Sequence, residues 1–495
     1  MKRTFALMKD SERWLGPGRH DRASERATAT GTVVNDIHSQ LNNTRVSSVV
    51  YPDSVQATLA AIERATTYGR AISIAGGRHA MGGQQFGTGT ILVDTSALNR
   101  VLRFDRRRGL IEVQAGIRWP ELLRYLDHAQ HGRWPQWGIR QKQTGADRLS
   151  IGGALAANIH GRGLNFKPMI DDVESFTLID ADGRLRTCSR TENSELFTLA
   201  IGGYGLFGII VAAQLRLVPR KKVQRVVRII DLEDLVPAVE ERIADGFLYG
   251  DFQFSIDSES DEFLTKGVFS CYQPIDEKAD MPKQQKELHP SDWMHLFTLA
   301  HTDKKRAFKL YSTYYLSTNG QRYWSDSHQL SEYVDGYHHV LDSLLGPSGC
   351  GTEMITEIYV PRQSLVPFMA DVRKDLREAQ ANLIYGTIRF IEKDDECFLA
   401  WAKDRYACIV FNLHTAHTPE ALAKTAEDFR RLIDRATHYG GSYYLTYHRW
   451  ATRQQVEVCY PQFVDFLKLK NTYDPAGRFQ SEWYRHYKAM VADAL

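Results

Sequence analysis

Ile74-Ala75-Gly76-Gly77-Arg78-His79-Ala80-Met81-Gly82-Gly83-Gln84, closed by Thr90-Ile91-Leu92-Val93-Asp94, carries more structural information than any other part of the 495-residue chain. Apolar and β-branched runs at 71–74 and 91–94 read as two strands, and the glycines between them allow a turn that other residues resist. Working outward toward the N-terminus, Val49-Val50-Tyr51 reads as a strand that Pro52 breaks. Asp53 or Ser54 then caps a helix over Val55–Tyr68, which Gly69 stops. Toward the C-terminus Leu110–Gln114 reads as a further strand. The rhythm is that of an α+β protein.

Trp119-Pro120 opens a helix over Glu121–His128, with proline suited to the first turn. Val173–Asp180 and Leu185–Cys188 read as a hairpin turned by Ala181-Asp182-Gly183. A short helix over Glu195–Ala200 leads into Gly202–Gly208 and then into the apolar strand Ile209–Leu217. From Lys221 the texture shifts to longer amphipathic helices between strands at Leu248–Ile256, Thr356–Val360, Gly386–Ile391 and Ala407–Leu413. The tail is turn-rich again, with a strand expected over Tyr443–Tyr447 and a helix near Gln455–Leu469. Three segments follow: 1–220, 221–438 and 439–495. Residues 1–45 are polar and are expected to form a loose lead-in over a domain surface.

Composition narrows the possible partners. Lys plus Arg is 62 against 60 for Asp plus Glu, so no field of one sign exists to hold nucleic acid or an anionic membrane. The hydrophobic share of 43% is that of a globular protein that buries a large core. No apolar run approaches the roughly 20 residues of a membrane span, and Met1–Gly18 holds no secretory apolar region. The six cysteines, Cys188, Cys271, Cys350, Cys397, Cys408 and Cys459, lack CxxC spacing. Neither a metal site nor a disulfide framework is read from them, and a cytoplasmic setting with a small-molecule partner is expected.

Three glycine clusters, 75–84, 145–163 and 202–208, each adjoin strands. Glycine lets main chain approach a diphosphate closely and lets successive N–H groups face one anion. None has the strand–GxGxxG–helix arrangement with a later acidic residue, so a nicotinamide-type fold is not supported and a different dinucleotide site is.

The residues from Ile74 to Asp94 resemble the flavin-anchoring loop of the vanillyl-alcohol oxidase family, notably cytokinin dehydrogenases and sugar-alcohol oxidases. Ser150-Ile151-Gly152-Gly153-Ala154-Leu155-Ala156-Ala157-Asn158-Ile159-His160-Gly161 resembles the second FAD loop of alditol and decaprenylphosphoryl-ribose oxidases, and Gly202–Ile210 the third. Glu357-Ile358-Tyr359-Val360-Pro361-Arg362, Ile388-Arg389-Phe390 and Tyr473-Asp474-Pro475-Ala476-Gly477-Arg478-Phe479 resemble aldonolactone and alditol oxidase segments. The likeness covers roughly residues 45 to 487. It implies a two-subdomain PCMH-type FAD-binding domain, from 1–220 and 439–495, and an antiparallel-sheet substrate cap over 221–438.

The resemblance implies that FAD is held by Ala75, Gly76, Gly77, Arg78, His79, Ala80 and Gln84 of the first loop. Gly145, Ala146, Ser150, Gly153, Asn158, Ile159 and His160 would contribute from the second, Gly208, Ile209 and Ile210 from the third, and Tyr444 from the tail. Histidine at position 79 implies a covalent bond to the flavin; no cysteine in the second loop is available for another.

Flavin chemistry takes a hydride from a carbon bearing O–H or N–H, so a group must remove the heteroatom proton. Sugar oxidases place a lysine where Tyr447 stands here, so Tyr447 or His448 is the candidate base. Arg389 matches the arginine that polarises the reacting hydroxyl, although Thr387 replaces that arginine's acidic partner. Arg162, from the His-Gly-x-Gly turn, and Asn412 and His414, two apart on one strand face, are candidate substrate contacts. The expected activity is hydride transfer from a CH–OH group of a sugar or polyol, with dioxygen or another acceptor reoxidising FAD. CH–NH oxidation and a non-catalytic flavin-binding role stay open, as do the substrate and the number of chains that assemble.

Overall fold

The computed structural model describes residues 26–28, 31–331, 334, 336–346 and 351–495. Most of the expected lead-in, up to residue 25, and Cys350 lie outside the described residues. The fold is mixed α and β.

Ser54 caps the helix Val55–Thr67, its side chain accepting from the Ala57 amide, as the Pro52-Asp53-Ser54 signal predicts. That helix lies on a parallel sheet in the order Ser48–Val50, Ile91–Asp94, Ile72–Ala75. Ala61, Ile62 and Ala65 of the helix pack with Ile72, Ile91 and Val93 in one buried cluster. The tail closes this layer, since Ile72 donates to Arg478 O and Gln480 donates back to Ile72 O. Phe479, fully buried in the same cluster, anchors that return, a burial worth about 1.5–3 kcal/mol.

A second sheet is antiparallel and five-stranded, ordered Leu185–Ser189, Val173–Ile179, Ile209–Arg216, Leu110–Gln114, Val101–Asp105. Its hairpin turns at Asp180, whose carboxylate accepts from the amides of Asp182 and Arg184. The third layer is an eight-stranded sheet in which Arg322–Trp324, Lys222–Asp231, Lys266–Pro274, Tyr249–Phe254, Leu383–Ile391, Tyr406–Ala416, Gly351–Pro361 and Ser442–Tyr443 follow one another. Its longest pair, 351–361 with 406–416, sets Glu353 opposite His414, Ile355 opposite Asn412 and Glu357 opposite Val410. By strand alternation Glu353, Ile355 and Glu357 share one face. One buried cluster runs through the second and third layers, so the large sheet is packed against the glycine-loop lobe.

Two tail elements differ from expectation. The strand near 443–447 is only Ser442–Tyr443, because from Tyr444 the backbone leaves the sheet. Tyr444 N still donates to Glu357 O, but the Leu445 carbonyl receives Trp483 Nε1 and that of Thr446 receives Gln84 Nε2. The single helix expected over Gln455–Leu469 is two, Arg453–Cys459 and Phe463–Tyr473, parted at Tyr460-Pro461, where proline disfavours helical backbone in the residue before it.

Candidate active site

The three glycine loops, the face of the large sheet bearing Glu357 and Arg389, and the turn 444–447 enclose one cavity of about 260 Å³. The first and second loops touch through glycine. A Cβ on Gly76 would stand 2.1 Å from Ser150 Oγ, and one on Gly77 would stand 2.5 Å from Arg148 O. Both separations are far inside contact distance, so only glycine lets the two loops meet. Ser150 in turn caps the helix Ile151–Ala157 through Gly153 N.

Of the expected loop residues, Ala75, Gly76, Gly77, Arg78, His79, Ala80, Gln84, Gly145, Ala146, Ser150, Gly153, Ile159, His160, Gly208, Ile210 and Tyr444 all border the cavity. Arg78, with φ of 56°, turns its guanidinium away to a buried pair with Asp94 at 2.7 Å. Breaking such a buried pair costs about 3–5 kcal/mol, so it locks the loop from behind. His79 Nδ1 lies 2.8 Å from His38 Nε2. Burial, then the charges of His38, Arg118 and Arg148, hold the His79 imidazole well below its ordinary value, so it is neutral at pH 7.

Asn158 and Ile209 do not border the cavity. Asn158 is a left-handed helix cap whose side chain binds Asp394 and the Ile170 amide. Ile209 is consumed by the core beneath the parallel sheet.

On the opposite wall Glu357 is the centre of a polar set. Its Oε1 lies 2.6 Å from His160 Nε2, while His160 Nδ1 faces Gly161 O at 3.0 Å. Tyr447 borders the same cavity, and burial, then the Glu357 carboxylate, raise its phenol beyond its ordinary range. Burial pushes the Glu357 carboxyl up, but His160, Arg389 and Tyr447 outweigh it and hold it below the ordinary value. Arg389, 8% exposed, also borders the cavity, and its Nε has no hydrogen-bond partner among the described residues. Thr387, in the place of an acidic partner, binds Phe252 O; the countercharge to Arg389 comes instead from Glu357 on another strand of the sheet.

The remaining candidates stand elsewhere. His448 is packed away from the cavity, with Nε2 at 3.1 Å from Thr356 Oγ1 and its ring stacked on Tyr443 and Trp450. Burial pushes it down to about 3, which makes it a poor proton acceptor as well as a remote one. Arg162 pairs with Asp251 at 3.7 Å. His414 pairs with Glu353 at 3.1 Å. Asn412 lies opposite Ile355, a cavity residue, without bordering the space itself. Among residues that sequence reasoning missed, Glu357 and His38 matter most: Glu357 was visible only as part of a family-like segment, and His38 lies in the polar lead-in without a motif.

These loops and this polar wall define a dinucleotide-binding redox scaffold. Two family models match the chain: an FAD binding domain over residues 46–189, and D-arabinono-1,4-lactone oxidase over residues 352–487. The chain thus carries an FAD-binding domain of the PCMH type and a segment similar to D-arabinono-1,4-lactone oxidase. It is similar to decaprenylphosphoryl-beta-D-ribose oxidase of Mycolicibacterium smegmatis, 21% identical over 90% of this chain and 95% of that one. Cytokinin dehydrogenase 4 of Oryza sativa subsp. japonica is 29% identical over 40% of this chain and 38% of its own. L-gulonolactone oxidase of Mus musculus is 26% identical over 34% and 37% respectively. The chain thus spans little more than a third of the rice and mouse relatives.

The cavity suits the cofactor the family binds, FAD. Beyond the glycine contacts, the buried Oε1 atoms of Gln84 and Gln85 border it and lack a hydrogen-bond partner among the described residues. Both are acceptors suited to ribityl hydroxyls or a flavin ring N–H. Among the described residues no helix is long and apolar enough to cross a membrane.

Proposed function

We propose that the protein is an FAD-dependent oxidoreductase that oxidises a CH–OH group of a sugar, polyol or aldonolactone. Bound FAD supplies the hydride acceptor, and dioxygen is the proposed final oxidant. Residues 1–220 and 439–495 are assigned to holding FAD and 221–438 to covering the substrate, with strand Ser442–Tyr443 joining the two. His79, neutral and held by His38, is assigned the covalent bond to the flavin.

The observation that carries this reading is the convergence of Tyr447, Glu357 and Arg389 on one cavity with His160 of the second glycine loop. Arg389 borders the cavity with its Nε lacking a hydrogen-bond partner among the described residues, and its guanidinium would hold the substrate oxygen and favour its negative charge. The Tyr447 phenol is too weak an acid to stay ionised, so it serves as a relay, accepting the substrate's hydroxyl proton while passing its own to Glu357. His160 and Arg389 stabilise the carboxylate that waits for that proton. The CH–OH reading is favoured over CH–NH chemistry because the aldonolactone oxidase match spans Glu357, Arg389 and Tyr447, whereas the cytokinin dehydrogenase likeness covers less than half of the chain.

The test is anaerobic mixing of the purified protein with polyols, aldoses, aldonolactones and amines while following flavin absorbance. Bleaching by a hydroxylated compound is expected. Bleaching only by amines would overturn the substrate class, and none by any donor would favour a binding protein without turnover.

A further inference from the structure

Away from the cavity, three potential metal ligands from three elements meet at one point. His301 comes from the helix Pro290–Thr302, Glu353 from the strand Gly351–Pro361 and His414 from the strand Tyr406–Ala416. Their ligand atoms all lie within 4.8 Å of one another. Glu353 Oε1 is 3.3 Å from His301 Nε2 and 3.1 Å from His414 Nδ1. A tetrahedral ion with bonds of roughly 2.0 Å separates its ligand atoms by about 3.3 Å, so both distances come within about 0.2 Å of an edge of such a tetrahedron.

Hydrogen bonding accounts for only part of this cluster. The His301 side chain is 2% exposed, and its Nε2 makes no hydrogen bond of acceptable geometry although it is aimed at the carboxylate. A buried imidazole nitrogen held only by a carboxylate contact of poor hydrogen-bond geometry is under-satisfied. Glu353 Oε2 meanwhile accepts from the Tyr337 hydroxyl at 2.5 Å, which turns Oε1 toward the two imidazoles, as outer partners orient metal-binding carboxylates. Of the 13 residues of the helix bearing His301 only Leu299 and Ala300 are buried; the rest of its hold comes from half-buried Trp293, Met294, Leu296 and Phe297 and from the neighbouring helix Lys304–Ser317.

We propose that His301, Glu353 and His414 bind one divalent transition-metal ion of the Zn²⁺ class, fastening the helix Pro290–Thr302 to the large sheet beside the cavity. Two imidazoles and one carboxylate are a ligand set that such ions accept, and three protein ligands leave a fourth position for water or a substrate oxygen. Glu353 is two residues from Ile355, which borders the cavity, so the ion would sit about 7 Å along the strand from the cavity wall. The proposal does not depend on which donor the flavin site oxidises.

The experiment uses the full-length, flavin-loaded chain without an affinity tag, stripped with a chelator and dialysed against Zn²⁺, with elemental analysis of what is retained. One equivalent per chain is expected for the wild type and less than a tenth of that for His301→Ala and His414→Ala, with flavin content as the check on folding. A wild type that retains no more Zn²⁺ than either variant overturns the site, as does an equivalent that survives in both variants. Should the variants lose their flavin, Co²⁺ loading of the wild type decides. A ligand-field band of four-coordinate intensity supports the site, and its absence shows a hydrogen-bonded cluster only.

Discussion

Glu357→Gln removes one charge from the centre of the polar wall while keeping the side chain's shape. The carboxylate is buried, lies 2.6 Å from His160 Nε2, and borders the same cavity as Tyr447. As the terminal acceptor of the relay it should contribute what a positioned base contributes, about 10²- to 10⁴-fold in rate, or about 3–5 kcal/mol of barrier. A second effect is structural, because the charge-assisted bond to His160 becomes at best a neutral one, a loss of about 1 kcal/mol. The two separate by pH. A carboxyl depressed in the folded state stabilises the fold above its unfolded value, near 4.5, and that contribution disappears as pH falls through the lower folded value. The wild type should therefore bleach at an undiminished rate down to about pH 4.5 and lose rate and stability below it, whereas Glu357→Gln should be slow throughout and show a shallower acid loss. The assay is anaerobic stopped-flow bleaching of the flavin across pH, with thermal melts in the same buffers. A Glu357→Gln protein that bleaches within threefold of wild type, with the acid limb unchanged, would refute the relay.

Tyr447→Phe should slow bleaching by at least about tenfold with flavin content unchanged; a wild-type rate would move the first proton transfer to another group. Gly76→Ala drives a methyl to within 2.1 Å of Ser150 Oγ, which displaces the helix cap at a cost of about 1 kcal/mol and crowds the loop junction. Reduced flavin occupancy in the visible spectrum is expected, and full occupancy would show that the loops separate without cost. His79→Ala should yield protein whose flavin is released by acid, against retention in the wild type. His448→Gln should bleach within threefold of wild type while melting lower, because His448 packs among Tyr443 and Trp450 rather than facing the cavity.

What could be read from the sequence was what local physics enforces. Ser54 ahead of an apolar periodic run caps a helix wherever the chain goes, and glycine at 76 and 77 announces a close approach because no other residue permits one. Where side chains owe their role to partners far along the chain, the sequence was silent. Glu357 meets His160 across 197 residues and His38 meets His79 across 41. Tyr443 to Tyr447 reads as a strand, yet Trp483 and Gln84 draw the carbonyls of Leu445 and Thr446 out of the sheet. His448 and Tyr447 are adjacent in sequence and opposite in environment, a distinction that only tertiary packing makes.

The central claim is that the space between the glycine loops and the Glu357 wall holds FAD. Its most direct measurement is the visible spectrum of the purified chain, before and after acid precipitation, calibrated per mole of protein. One flavin per chain, staying with the precipitate, is the expected result. A colourless protein that takes up none on incubation with FAD would contradict the claim.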